Sequence, residues 1–341
     1  MDATGSARAA RSSGAETMSA VEQTRYGTAP RHVLGMGRTD RPAPREGQVL
    51  VRVRAASVDR GTWHLMAGRP YPVRLVFGLR RPSFLNPGRN LAGVVEEVGQ
   101  GVTDFRPGDE VYGIASGNGT FAEYAVAKQE KLDRKPTNVS FEQAAAVPVS
   151  AGTALEAVRD HARVQPGEEV LVIGASGGVG TFAVQIAHAL GARVTGLASG
   201  AKLDAVRALG ADGVLDHRRD EIPQGRFDAV IDIAGRRPLA QLRRVLTPHG
   251  RLVIVGGETG GRLCDGLGRQ FRAALLSPFV GQTLGFFVSK ERGADLRALT
   301  GLIEAGSVTP LVDRVFPLAE TAAAVEYLID GRATGKVVVT V

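Results

Sequence analysis

Three glycines, Gly174, Gly177 and Gly180, follow the apolar run Val170-Leu171-Val172-Ile173. After them, Val179, Phe182, Ala183, Ile186, Ala187 and Leu190 recur at helical spacing. A continuous rather than alternating apolar run reads as a central parallel strand covered on both faces. Strand, glycine turn and helix in that order make a phosphate cradle. Glycine permits the tight turn, lets the backbone approach a pyrophosphate and lets the helix sit close to the strand. The free N–H groups and the positive dipole end at the helix start attract the anion. Gly174, Ser176, Gly177, Gly178, Val179 and Gly180 are therefore expected to hold the pyrophosphate of a dinucleotide. Any strand-to-helix turn can carry such a triplet. The context here is supplied by a second strand, Ala192 to Ala198, at whose end a ribose-binding residue belongs.

What stands at that end selects the cofactor. An Asp or Glu would accept from a ribose 2′-hydroxyl and repel a 2′-phosphate. The chain instead reads Ala198-Ser199-Gly200-Ala201-Lys202, with no acid before Asp204. The Ser199 hydroxyl and the Lys202 ammonium suit a phosphate, so NADPH is expected over NADH. Ser199 also has the chemistry of a helix N-cap.

The elements that position these residues can be read from the rest of the chain. At 341 residues it suits two domains. An apolar content of 43% with 44 glycines reads as globular and rich in turns. The net charge is +7, but the arginines are scattered among acids rather than gathered in a block. Aromatic content of only 5% argues against a stacking platform for single strands, so no nucleic-acid partner is expected. One cysteine, Cys264, cannot form a disulfide within the chain. No apolar run reaches membrane-spanning length, so a soluble, cytoplasmic protein with no membrane partner is expected. Residues 1–20 hold almost no large apolar side chain and are expected to be disordered, with Met1 and Met18 both available as starts.

Val49 to Ser57 alternates with Arg52 and Arg54 on the wet face. Leu91 to Gly99, Asp109 to Ile114 and Phe121 to Ala127 read as further short strands with Gly/Pro punctuation, which suggests a barrel-like β unit before about residue 130. Ser140 to Gln143 then has capping-box spacing. Strands predicted at 169–173, 193–198, 213–216, 228–232 and 251–256 alternate with helices at 178–190, 201–209 and 236–246, the pattern of a doubly wound parallel sheet. A strand from Thr283 to Ser289, helices from Arg292 to Glu304 and Leu318 to Asp330, and a closing strand from Lys336 to Val341 complete the reading.

The motifs Val51-Arg52-Val53-Arg54-Ala55-Ala56-Ser57-Val58-Asp59, Asn90-Leu91-Ala92-Gly93-Val94-Val95, Gly119-Thr120-Phe121-Ala122-Glu123-Tyr124, Ala144-Ala145-Ala146-Val147-Pro148, Leu209-Gly210-Ala211-Asp212 and Gly335-Lys336-Val337-Val338 accompany the glycine turn. Together they make the chain, from about residue 20 onward, resemble the medium-chain dehydrogenase/reductase superfamily in its zinc-independent, quinone oxidoreductase-like branch. The resemblance implies an α/β protein with a GroES-like β-barrel catalytic domain at 21–145 and 282–341, a Rossmann NADP-binding domain at 146–281, and a homodimer. It also implies that Ala234 and Gly235 lie beside the nicotinamide-side ribose, and that Val255, Gly256 and Gly257 pass the nicotinamide amide.

Zinc-dependent relatives use cysteine and histidine ligands. Cys264 lies far from the ligand motifs and the six histidines show no paired spacing, so no metal is expected. Without a Lewis acid, alcohol oxidation is disfavoured and reduction of an already electrophilic quinone or α,β-unsaturated carbonyl is favoured. Asp59 stands where relatives usually carry Asn, and reads either as a polar site residue or as a cap. On this reading Asp59→Asn preserves or raises turnover. Thr153 reads as a cleft hydroxyl or a helix cap, and Trp63, His64, Phe279 and Phe286 are candidate walls for the acceptor. One alternative is an enoyl-thioester reductase, with Arg69, Arg74, Arg80 and Arg81 tracking the phosphorylated tail. Another is a non-catalytic NADPH-binding sensor or RNA-binding relative.

Overall fold

The computed structural model describes residues 16–257 and 267–341. The first part runs β1 (Thr17–Gln23), α1 (Pro30–Val33), β2 (Leu34–Asp40), β3 (Gln48–Val58), α2 (Arg60–Ala67), α3 (Val73–Phe77), β4 (Asn90–Val98), β5 (Glu110–Ile114), β6 (Tyr124–Lys128), β7 (Leu132–Arg134) and α4 (Phe141–Ala145). The chain continues through α5 (Pro148–Leu155), β8 (Glu169–Ile173), α6 (Gly178–Ala189), β9 (Arg193–Ala198), α7 (Leu203–Ala208), β10 (Gly213–Asp216), β11 (Phe227–Asp232), α8 (Leu239–Val245) and β12 (Leu246–Ile254). It ends with α9 (Leu267–Leu276), β13 (Thr283–Phe286), α10 (Gly293–Glu304), β14 (Val312–Pro317), α11 (Thr321–Ile329) and β15 (Lys336–Thr340).

The short strands form a seven-stranded barrel-like sheet in the order β14-β15-β3-β4-β5-β7, with β6 also on β3. Alternation decides which face of β3 is wet: Val49, Val51 and Val53 are buried while Arg52 and Arg54 point to solvent. The last strand, β15, lies antiparallel to β3 with Val338 opposite Ser57, so the C-terminus completes a sheet begun near the N-terminus. Residues 17–20, expected to belong to a disordered tail, instead form most of β1. Met18 and Ala20 bury themselves against Ala122, which offsets their ordering cost, and residues 1–15 of the expected tail lie outside the described residues.

The second sheet is parallel throughout, in the order β10-β9-β8-β11-β12-β13. Its order reverses between β8 and β11, which opens a crevice at their carboxyl ends. Val170, Leu171 and Val172 are fully buried under helices on both faces, the reason that this strand reads as a continuous apolar run. β13, which lies past the boundary expected at residue 282, pairs with β12 through Leu284 opposite Leu252 and belongs to the parallel sheet. Ser140 caps α4 reciprocally with Gln143, as its spacing predicts.

Candidate active site

The glycine turn follows β8 at the crevice. Gly174 sits at φ +86, a left-handed conformation that L side chains avoid, and a Cβ there would meet Ala234 N at 3.1 Å. Gly177 is the N-cap of α6, and Gly180 lies where a Cβ would fall 2.1 Å from Gly174 O. Ser176 is buried, and its carbonyl accepts from Gly335 N at 2.9 Å, so the segment entering β15 braces the turn. The backbone N–H groups of Gly178, Val179 and Gly180 open α6 without a side-chain cap. They are the unsatisfied donors that an anion needs. A helix start with free backbone donors is a geometry that the phosphates of a dinucleotide would fit.

Beside it, β9 ends at Ala198, and Ser199 and Lys202 flank a short turn. Ser199 makes no side-chain cap. Lys202 Nζ donates to the carbonyls of Gly331 at 2.9 Å and Ala333 at 2.6 Å, and burial pulls its pKa down. It is therefore tied to the C-terminal segment rather than extended into solvent. Because Asp216 on β10 pairs with Ala198, the turn after β10 lies next to that of β9 and carries Arg218 and Arg219, which the sequence reading missed. The Asp216 carboxylate accepts from Arg218 N at 3.0 Å.

At the far end of the crevice, Gly235 follows β11 at φ +68 and its N–H donates to Asp232 Oδ1 at 3.2 Å. Asp232 is fully buried and pairs with Arg269 of α9. Arg269 also donates to the carbonyls of Arg237 at 3.0 Å and Gly256 at 3.1 Å. One guanidinium thus binds together the strand ends that carry Ala234, Gly235, Val255 and Gly256. Gly256 itself leaves no room for a side chain, since a Cβ would fall 2.0 Å from Ile233 O.

From the barrel side, Asp59 N-caps α2 in a reciprocal box: its Oδ1 accepts from Thr62 N at 2.9 Å, and its own N–H donates to Thr62 Oγ1 at 3.2 Å. Its second oxygen accepts from Asn90 Nδ2 at 2.9 Å, and Asn90 Oδ1 in turn accepts from Val149 N at 2.9 Å. The neighbouring Ser150 accepts from Lys336 Nζ at 3.0 Å. Lys336 is 1% exposed, and a Cβ on Gly178 would come within 3.0 Å of its Cδ, so its side chain lies directly under the start of α6. Sequence reasoning quoted Lys336 only as part of a motif. Nothing in the local pattern says that a lysine in a strand will be buried, and only the fold-back of β15 puts it there.

The two charges act on each other. Burial pushes the Asp59 carboxyl up, but the Lys336 and Arg89 charges and the hydrogen bonds from Thr62 and Asn90 outweigh it and hold the pKa below the usual range. Burial lowers Lys336, and Asp59 partly offsets this. A depressed carboxylate pKa stabilises the fold above the ordinary Asp range, and that stabilisation is lost as pH falls through the folded value. In Asp59→Asn the new amide keeps the Thr62 bond but turns an NH2 toward that of Asn90. Asn90 must flip, and Val149 N loses its acceptor. The expected result is a loss of about 1–3 kcal/mol in urea unfolding, with turnover per folded molecule retained. A variant as stable as the parent would show that this chain of bonds carries no weight.

Thr153 does not cap its helix; its hydroxyl donates to Val149 O at 2.7 Å, one turn along from the Asn90 contact. Asp59, Asn90, Ser150, Thr153 and Lys336 thus gather where the barrel meets the start of α6. Trp63 is half-buried against the barrel core and stands edge-on to His64 at 5.1 Å. His64 Nδ1 lies 3.0 Å from Arg69 O. The two remaining aromatics are not brought to this group. Phe279 is 84% exposed beyond α9, and Phe286 packs edge-on to Phe271 on the edge strand β13. Their expected role as walls rested on chain order, which does not reveal that β13 is the outermost strand. Among the described residues no three His, Cys, Asp or Glu side chains cluster to hold a metal ion, and Cys264 lies outside the described residues. The Asp59 carboxylate is already committed to Thr62 and Asn90.

Residues 45–137 match the family described as alcohol dehydrogenase GroES-like domain, and residues 209–339 match that described as zinc-binding dehydrogenase. The chain is 32% identical to the quinone oxidoreductase of Homo sapiens over 310 residues, covering 87% of this chain and 90% of that one. It is 34% identical to the chloroplastic NADPH-dependent alkenal/one oxidoreductase of Arabidopsis thaliana over 313 residues, covering 87% and 73%. The solved quinone oxidoreductase of Coxiella burnetii superposes with a TM-score of 0.81 at 28% identity, over 96% of this chain and all of that one (100%).

Proposed function

Because the chain belongs to the quinone oxidoreductase-like branch of the medium-chain dehydrogenase/reductase superfamily, we propose that it is a zinc-independent, NADPH-dependent reductase of quinones or α,β-unsaturated carbonyls. The observation that carries this reading is the pairing of a complete dinucleotide cradle with a neighbouring polar group in which no set of metal ligands is assembled. Bound NADPH would supply a hydride. The glycine turn and the start of α6, an end favourable to anions, would hold its phosphates, with the Lys336 side chain directly beneath them. The strand ends clamped by Arg269 would position the nicotinamide side, and rigid placement is most of what such a transfer needs. Among the described residues no set of side chains fits zinc.

NADPH over NADH is supported by the uncapped Ser199 at the end of β9 and by the exposed Arg218 and Arg219 in the adjoining turn after β10, whereas Lys202 is already held by the carbonyls of Gly331 and Ala333. The names of the human and Arabidopsis relatives support quinone or enone acceptors. Dimerisation through the sheet edge is supported by the exposed Phe271, Leu275 and Phe279 around the edge strand β13.

The test follows nicotinamide absorbance with NADPH and NADH against 1,4-benzoquinone, 9,10-phenanthrenequinone and a 2-alkenal, after treatment with chelator. NADPH-selective, chelator-resistant turnover is expected. Replacing Arg218 and Arg219 with alanine is expected to lower kcat/KM for NADPH roughly tenfold or more while leaving NADH unchanged, the loss of one or two charge-assisted hydrogen bonds. Activity removed by chelator, or tight NADPH binding with no turnover on any acceptor, would overturn the reading.

A further inference from the structure

From Arg60 to Val95 the chain contains no Asp or Glu and six arginines, Arg60, Arg69, Arg74, Arg80, Arg81 and Arg89. In the middle of this run the fold does something unusual for a soluble surface. Leu75, Val76 and Leu79 are 74%, 75% and 66% exposed, three large aliphatic side chains within five positions. The segment that presents them is held in place. Tyr26 donates its hydroxyl to the carbonyls of Phe77 at 2.9 Å and Gly78 at 2.8 Å. The guanidinium of Arg74 lies over the rings of Tyr26 and Tyr71, and its Nε donates to Gly68 O at 3.0 Å. Gly78, at φ +108, makes a turn so tight that a Cβ would fall 2.1 Å from Arg81 O. Arg74 is thereby folded under α3, while Leu75, Val76 and Leu79 project outward with the exposed Arg80 and Arg81 beside them.

We propose that this projection docks the protein on the surface of an anionic lipid bilayer. Exposed aliphatics flanked by arginines are the chemistry of an interfacial anchor: the apolar side chains enter the acyl boundary and the guanidiniums bind the headgroup phosphates. The acid-free run matters as much as the arginines, because no carboxylate within it repels the anionic surface. A purely electrostatic partner such as RNA would explain Arg80 and Arg81 but would leave three aliphatics in water. A thioester tail would occupy the groove of about 690 Å³ between Thr24 and the Gly78–Leu85 segment, which reaches Leu79 but leaves Leu75 and Val76 uncovered. The proposal stands independently of the acceptor assigned above.

Co-sedimentation of the full chain with phosphatidylcholine vesicles, and with the same vesicles containing phosphatidylglycerol, tests it. Binding to the anionic vesicles and not the neutral ones is expected. Arg80→Gln with Arg81→Gln should weaken it by roughly an order of magnitude or more. Leu75→Ser, Val76→Ser and Leu79→Ser together should weaken it comparably. Thermal midpoints should be unchanged throughout, since these side chains are largely exposed. Failure to sediment with either vesicle overturns the proposal. So does binding that survives the triple serine change, which would mark simple charge attraction, or saturable coenzyme A binding without vesicle binding, which would mark a thioester tail.

Discussion

Gly180→Ala is expected to weaken NADPH binding by roughly 100-fold and to destabilise the fold by about 1–3 kcal/mol. The added methyl would fall 2.1 Å from Gly174 O and 2.8 Å from the backbone of Ala175. Neither can yield, because Gly174 N and Ala175 N both donate to Leu197 O on β9, at 3.0 and 3.1 Å. The start of α6 must therefore move away from β8 and take its free N–H groups with it. Gly177→Ala is the control: its Cβ meets only Gly174 O, at 3.4 Å, an ordinary contact, and a small effect is expected. Nicotinamide fluorescence titration and thermal unfolding measure both variants. Equal losses at the two positions would show that the close approach of helix to strand is not what the glycines serve.

Arg269→Leu is expected to cost about 3–5 kcal/mol, because it leaves the fully buried Asp232 carboxylate without its partner. Burial already pushes the Asp232 carboxyl up, with the Arg269 charge opposing it. Without Arg269 the folded pKa rises further above the unfolded one, so the folded state binds more protons than the unfolded state across that interval. Stability then falls as pH rises from the ordinary carboxylate range to the folded pKa. The variant is expected to be least impaired at mildly acidic pH. Adding Asp232→Asn should recover much of the loss at neutral pH, since a neutral amide is far less costly to bury alone. Urea unfolding at several pH values checks this, and a loss that does not vary with pH would assign it to packing of α9 instead.

The nucleotide half was legible in the sequence because its determinants are local. A continuous apolar run, a glycine turn and an apolar helical stripe occupy consecutive residues, and β8, α6 and β9 follow within a residue or so of their expected bounds. Edges were less legible. Residues 17–20 look too polar for structure, yet they form a strand because they pair antiparallel with β2, while Ala122, more than a hundred positions away, covers Met18 and Ala20. β13 looks like the start of the returning segment, yet it extends the parallel sheet, since a short apolar strand suits either sheet and only pairing with β12 decides.

Within the candidate site the division is the same. Residue types and spacing alone pointed to a phosphate cradle at Gly174–Gly180, because backbone approach and dipole are properties of a short contiguous segment. They also determined which residue types were available for a metal. Tertiary structure alone decided that Asp59 is an electrostatic partner of Lys336 as well as a helix cap, that Thr153 bonds back to its own helix, and that Lys202 is tied to the C-terminal segment. It also set the turn after β10, which carries Arg218 and Arg219, next to the turn after β9. In most of these cases the partner comes from a distant part of the chain. Periodicity and spacing carry no information about such partners, because they are chosen by how two sheets and a returning strand pack together.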